Sequence, residues 1–179
     1  PVGTIGDIAC FSLQHSKQIS CGDGGVAASN HERFGPLLQS YGDKGGDRLH
    51  PTGVYERFAT NYRMTELQAA VGAAQLERLE GIVSARARNG GLLGERLRGI
   101  AGIEPHGIAA DDRSSYWFYM LRLKPGGLRC DRAEFVKALA AEGVLASPGY
   151  IPVPLYEFPV FKTHGFFAGR WPMRDLGMT

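Results

Sequence analysis

The apolar positions change period several times along the chain, and each change predicts an element. Asp7-Ile8-Ala9-Cys10-Phe11-Ser12-Leu13 is a short apolar and aromatic run after Gly6 and predicts a buried strand; Gly25-Val26-Ala27-Ala28-Ser29 predicts a second. The stretch between them, Gln14 to Gly24, is too polar for a core strand and ends in turn residues that accept positive φ. The unit therefore reads strand, loop, strand. Asn30 predicts the N-cap of a helix carrying Phe34, Leu37 and Leu38 on one face and ending near Gly42. From Asp43 to Thr60 apolar periodicity disappears among Gly, Asp and Pro, which predicts a long ordered loop.

Thr65-Glu66-Leu67-Gln68 has the form of a capping box, and Leu67, Val71, Ala74, Leu79, Ile82 and Val83 follow at roughly helical spacing. Continued to Arg98, this helix would be about 50 Å long, with Gly90, Gly91 and Gly94 as the places for a bend or break. After Gly99 a loop precedes an aromatic and aliphatic alternation over Tyr116 to Leu123, which predicts a strand. Asp131 then caps an amphipathic helix to Glu142, with Gly143 just past its end. These elements make a second, smaller α/β unit. From Ser147 to Thr179 the prolines Pro148, Pro152, Pro154, Pro159 and Pro172 lie among large side chains, a loop composition.

Composition narrows the classes of function. Of 179 residues 44% are hydrophobic and 21% charged, as in soluble globular proteins, and no run of about 18 apolar residues offers a membrane span. The 20 Lys and Arg against 18 Asp and Glu leave a net charge of +2, without the basic footprint that nucleic acid requires. Cys10, Cys21 and Cys130 are odd in number and form no C-x-x-C pair, which reads as reduced thiols of a cytoplasmic protein and argues against zinc. Gly22 to Gly25 is followed by no Gly-Lys-Ser/Thr and fits no dinucleotide-binding spacing, so these are turn glycines. The chain begins at Pro1 with neither a Met start nor a signal segment and reads as an internal piece of a longer one.

The candidate nucleophile is Lys17, in a polar loop beyond a strand end and among small residues. On spacing alone a solvated surface lysine is the more frequent case. His15 reads as a packed or hydrogen-bonded structural histidine. Two strings change the weight on Lys17. Gly6-Asp7-Ile8-Ala9-Cys10-Phe11-Ser12-Leu13-Gln14-His15-Ser16-Lys17 followed by Gly22-Asp23-Gly24-Gly25, and Asn61-Tyr62-Arg63-Met64-Thr65-Glu66-Leu67-Gln68-Ala69-Ala70 with Gln75-Leu76 beyond it, occur in order. Together they resemble the DegT/DnrJ/StrS family of pyridoxal-phosphate-dependent sugar and cyclitol aminotransferases.

The resemblance implies an α/β chain of the type I, aspartate aminotransferase-like fold. Residues 1–98 would be the carboxyl-side part of the large cofactor domain with the interdomain helix, and 99–179 an incomplete small domain. Lys17 would form the Schiff base with pyridoxal phosphate and shuttle the substrate proton, and Ser12 would bond the cofactor phosphate. Asn61 would reach that phosphate from a neighbouring subunit, which implies a homodimer with shared active sites. Arg63 is a candidate contact for substrate or phosphate, or else a helix-start salt bridge. Tyr150-Ile151-Pro152-Val153-Pro154-Leu155-Tyr156 resembles the loop returning toward the substrate pocket. Many relatives carry histidine where Pro154 stands, so whatever that side chain does would be absent here or replaced by Tyr150 or Tyr156, and Tyr150 is the candidate substrate contact.

The implied reaction moves an amino group from glutamate or glutamine to a keto sugar, usually nucleotide-linked, or a keto cyclitol, with a lean toward the cyclitol and antibiotic-sugar branch. The family's ring-stacking aromatic and pyridinium-pairing aspartate precede the lysine, and Asp7, inside the lysine's own strand, is not that aspartate. The family's last helix would follow Thr179. The expectation is thus a carboxyl-side portion, inactive by itself. A dehydratase of the same family, with histidine in place of the lysine, and a non-catalytic regulator binding a sugar nucleotide are the competing readings; Lys17 argues against the first.

Overall fold

The computed structural model describes residues 2–47, 53–151 and 153–165. It divides into two compact units, Pro1–Arg122 and Leu123–Thr179. In the first unit β1 (Ala9–Ser12) pairs antiparallel with β2 (Gly25–Ala28), Ala9 opposite Ala28 and Ser12 opposite Gly25. Both strands are shorter than their apolar runs, and their side chains are mostly exposed. The buried positions lie in the connection between them. Leu13, Ile19 and Cys21 form the core cluster, with Met64, Leu79 and Ile82 packed against it.

Helix α1 (Phe34–Gly42) begins later than Asn30 predicts, with Arg33 at its N-cap and no side chain bonding there. The donors ahead of it are already satisfied. Ser29 Oγ accepts from the His31 N–H at 3.0 Å, and His31 Nδ1 accepts from the Arg33 N–H at 3.1 Å, so a side-chain-bonded turn displaces the start. Among the described residues of the Asp43–Thr60 loop the one bridge is Asp43 with Asn61; residues 48–52 lie outside the described residues.

The capping box stands where the sequence places it. Thr65 Oγ1 accepts from the Gln68 N–H and Gln68 Oε1 from the Thr65 N–H, opening α2 (Glu66–Glu77). Gly72, the buried residue of α2, lies over Leu13 and Cys21, where a Cβ would come 3.6 Å from Leu13 Cδ1. The break comes at Arg78, ahead of α3 (Leu79–Leu97), and not at the glycines. Gly90 serves close approach instead: a Cβ there would lie 2.6 Å from the Tyr116 ring.

The predicted strand over Tyr116 to Leu123 contracts to β4 (Arg122–Leu123), paired with β3 (Ile103–Glu104). Tyr116 has φ 45°, which no strand accommodates, and its ring stacks on Tyr119 with centroids 5.7 Å apart. This folding of residues 114–119 back onto α3 carries the first unit past Arg98 to Arg122. In the second unit Asp131 and Glu134 form a reciprocal capping box at α4 (Arg132–Ala141), and Gly143 follows at φ 82°. A 3-10 turn at Leu155–Glu157 and α5 (Pro159–Lys162) occupy part of the stretch predicted as loop; Pro159 sits at the start of α5, where its fixed φ suits a helix. Pro152 and Pro172 lie outside the described residues.

Among the described residues no helix is long and apolar enough to cross a membrane, and no three His, Cys, Asp or Glu side chains gather as for a metal.

Candidate functional site

The lysine loop is tied at both ends and in the middle. The Leu13 N–H donates to Gly24 O at 2.9 Å, and Leu13 O accepts from the Cys21 N–H at 3.1 Å and Ser20 Oγ at 3.1 Å, so the two ends close below the core cluster. Between them Gln14 organises the turn. Its N–H donates to Ser12 Oγ at 3.3 Å, its carbonyl accepts from the Lys17 N–H at 2.9 Å, and its Oε1 accepts from the Ser16 N–H and hydroxyl. Ser12 and Lys17 thus belong to one local network. Gln14 Nε2 also contacts His15 Nδ1, which spends His15 on the loop itself.

The far side of the loop meets residues about a hundred positions later. Lys17 Nζ lies 3.6 Å from the centroid of the Trp117 ring, whose Nε1 donates to Ser16 O at 2.9 Å. Gln18 Nε2 donates to Ser115 Oγ at 2.8 Å. Arg86 of α3 in turn donates to the carbonyls of Tyr116 and Trp117 at 3.2 and 3.3 Å. Arg113 meets Glu80 Oε1 at 2.8 Å and Ser84 Oγ at 2.9 Å, and its hydrogen bond, with that of Ser84, holds the Glu80 carboxyl below the usual carboxylate range. Sequence reasoning did not find Trp117, because an aromatic in an alternating run reads as strand packing.

Asn61 sits in a second network. The Tyr62 N–H donates to Gly42 O and the Lys44 N–H to Thr60 O, which holds the two strands of chain together at the Asp43–Asn61 bridge. Asn61 Oδ1 accepts from the Arg63 N–H at 3.2 Å and Nε at 3.0 Å, and Arg63 Nε lies 3.0 Å from Oδ1 of the buried Asp43. With Oδ1 occupied as acceptor, the Asn61 amide offers its N–H donors outward. The Arg63 Nε is engaged in a pair beside the α2 start. Tyr150 belongs to the second unit, where it is 70% exposed after a turn in which Ser147 Oγ donates to Gly149 O.

An amine on a half-buried loop, a serine hydroxyl still able to donate its proton, and an outward amide are a suitable donor set for a group bearing an aldehyde and a phosphate. By this chemistry the residues present fit pyridoxal phosphate. On the other side of the hairpin a groove of about 1020 Å³ is lined by Phe11, Val26, Tyr41, Phe58 and Tyr62 among others, with none of Ser12, Lys17 or Asn61.

The backbone is that of the pyridoxal-phosphate-dependent sugar aminotransferases. A DegT DnrJ EryC1 StrS aminotransferase from Brucella abortus superposes with TM-score 0.77 at 25% identity, covering 89% of this chain and 40% of that one. S. venezuelae DesV, solved in complex with a ketimine intermediate, gives 0.76 at 26% identity over 90% of this chain and 41% of its own. The model of the DegT/DnrJ/EryC1/StrS aminotransferase family matches residues 1–173, and the chain belongs to that family of pyridoxal-phosphate-dependent enzymes. GDP-perosamine synthase of Caulobacter vibrioides is 34% identical over 155 residues, 84% of this chain and 40% of the relative. A putative L-glutamine:3-amino-2,3-dideoxy-scyllo-inosose aminotransferase of Streptomyces kanamyceticus is 31% identical over 183 residues, 96% of this chain and 41% of the relative. The chain therefore spans less than half the length of these relatives.

Proposed function

We propose that this chain is the lysine-bearing part of an enzyme that transfers an amino group from glutamate or glutamine to a keto sugar, nucleotide-linked, or to a keto cyclitol. The observation that carries the reading is the Ser12–Gln14–Lys17 turn, in which the Gln14 N–H bonds the Ser12 hydroxyl and the Lys17 backbone N–H bonds the Gln14 carbonyl, so that a residue with a phosphate-capable hydroxyl and a residue with a primary amine share one short turn within the family match. Bound pyridoxal phosphate supplies an electron sink that lets a proton leave the carbon bearing the amino group. Lys17 Nζ holds the cofactor and, once released from it, moves that proton. Ser12 Oγ donates toward the phosphate. Asn61 donates to the phosphate of a neighbouring subunit in a homodimer, its amide oriented by Arg63, and Tyr150 contacts substrate.

The relatives' names include both acceptor classes, with perosamine synthases on one side and glutamine:scyllo-inosose aminotransferases on the other. Both support an amino sugar or amino cyclitol product, and we assign the chain on that reading to antibiotic or polysaccharide biosynthesis in the cytoplasm. Borohydride reduction of the cofactor-loaded protein followed by peptide mapping tests the assignment. Label is expected on Lys17; label on Lys44 or Lys124 removes it. A Lys17→Ala variant is expected to lose transamination while still binding cofactor noncovalently.

A further inference from the structure

We infer that Trp117 is a positioning residue for Lys17, carrying the side-chain amine on its indole face whenever Nζ is not bonded to the cofactor. The inference takes its catalytic meaning from the proposed role of Lys17; the contact itself stands independently of that role.

Four observations converge on it. Nζ lies 3.6 Å from the ring centroid, within the range where an aromatic face attracts an ammonium, and indole is the strongest of the aromatic faces. Among the described residues Lys17 makes no ion pair with a carboxylate, so the ring is the group that faces its charge. The ring is also registered to the loop on both sides of the lysine. Trp117 Nε1 bonds the carbonyl of Ser16, and Gln18 bonds Ser115, so residues 16 and 18 are both fastened to one short segment and Lys17 lies between the fastenings.

The fourth observation is that this segment is itself held from behind. Arg86 bonds the carbonyls of Tyr116 and Trp117, and Tyr116 keeps a φ of 45° with its ring against Gly90. A bulky residue persists in that conformation only where its surroundings over-determine it. The indole is thus a fixed surface and not a side chain that follows the lysine. A π face retains it near its point of attack without a counter-charge, and lets it return after accepting a proton.

The test is the rate at which an amine-reactive acylating reagent labels Lys17 in the cofactor-free protein, read by peptide mapping against Lys124 and Lys137 in the same digest. Trp117→Leu is expected to raise the Lys17 ratio about two- to fivefold, the factor that corresponds to a cation–π contact at a partly exposed site. Trp117→Phe, which keeps a ring but lacks the N–H that registers it to Ser16, is expected to label at a rate between those of the parent and Trp117→Leu. An unchanged ratio in Trp117→Leu overturns the inference, as does a Trp117→Phe protein that labels as fast as Trp117→Leu. Should Trp117→Leu unfold, shown by all lysines labelling alike, Arg86→Leu carries the test. It frees the segment from behind and is expected to raise the Lys17 ratio, and no rise overturns the inference. Cofactor trapped by borohydride on another lysine would instead defeat the proposed function and leave the labelling result standing.

Discussion

At Asn61 the two ends of one small amide are given different tasks. Its oxygen accepts from the Arg63 N–H and Nε, and Arg63 is anchored on buried Asp43, so the oxygen is fixed from within the loop while the residue stays exposed. One hydrogen bond to a charged phosphate contributes about 1.5 to 3 kcal/mol, so Asn61→Ala is expected to weaken pyridoxal phosphate binding by about ten- to a hundredfold. Its melting temperature should move little, because Asn61 is exposed. Absorbance titration with cofactor beside a thermal melt checks both. Equal affinity in the variant would remove Asn61 from the phosphate site. The string that contains Asn61 and Arg63 was legible as a motif, yet the pairing of Arg63 with Asp43 was not, since Asp43 read as one more residue of a loop without period. Trp117 was hidden for the same reason: what makes it informative is its contact with Lys17 and its bond to Ser16, 101 positions earlier.

Elements written in adjacent residues were readable, and elements decided by distant ones were not. Both capping boxes, at Thr65–Gln68 and Asp131–Glu134, need only residues three apart, and both formed. The glycines of α3 misled because helix propensity does not reveal what lies against a helix. Gly90 faces the Tyr116 ring, whereas Gly91 faces open space, and this predicts opposite signs for the same substitution. Gly91→Ala is expected to raise stability by up to about 1 kcal/mol through helix propensity. Gly90→Ala must displace a ring held at a strained backbone, and overpacking of that kind costs about 1 to 3 kcal/mol, enough to outweigh the same gain. Denaturant melts of the two variants decide it; stabilisation by Gly90→Ala would mean that the Tyr116 ring yields freely.

At the scale of the molecule the feature that stands out is how much large apolar surface is left uncovered. Tyr55, Phe58 and Tyr62, on the chain leading to Asn61, are exposed by 62%, 101% and 79%. In the proposed homodimer this loop crosses to the partner, and these aromatics are covered there. Mixing inactive Lys17→Ala subunits with Asn61→Ala subunits of the complete enzyme, at a cofactor concentration too low to load the weakened Asn61→Ala site, tests it. Activity is expected to return in part, because one hybrid site regains both residues. No recovery after verified subunit exchange would place Asn61 in its own subunit's site and remove the case for an obligatory dimer. The contact between Ser16 and Trp117 has a temporal meaning as well. It spans 101 residues, whereas the hairpin and the turn of Gln14 close within their own neighbourhood. At about 5 to 20 residues per second on the ribosome, the lysine loop emerges about 5 to 20 seconds before its aromatic cover is made. For that interval the nascent chain carries the Lys17 amine with no indole over it, so the fastening of residues 16 to 18 against 115 to 117 dates the completion of the lysine's surroundings to the arrival of Trp117 and not to the closing of the hairpin.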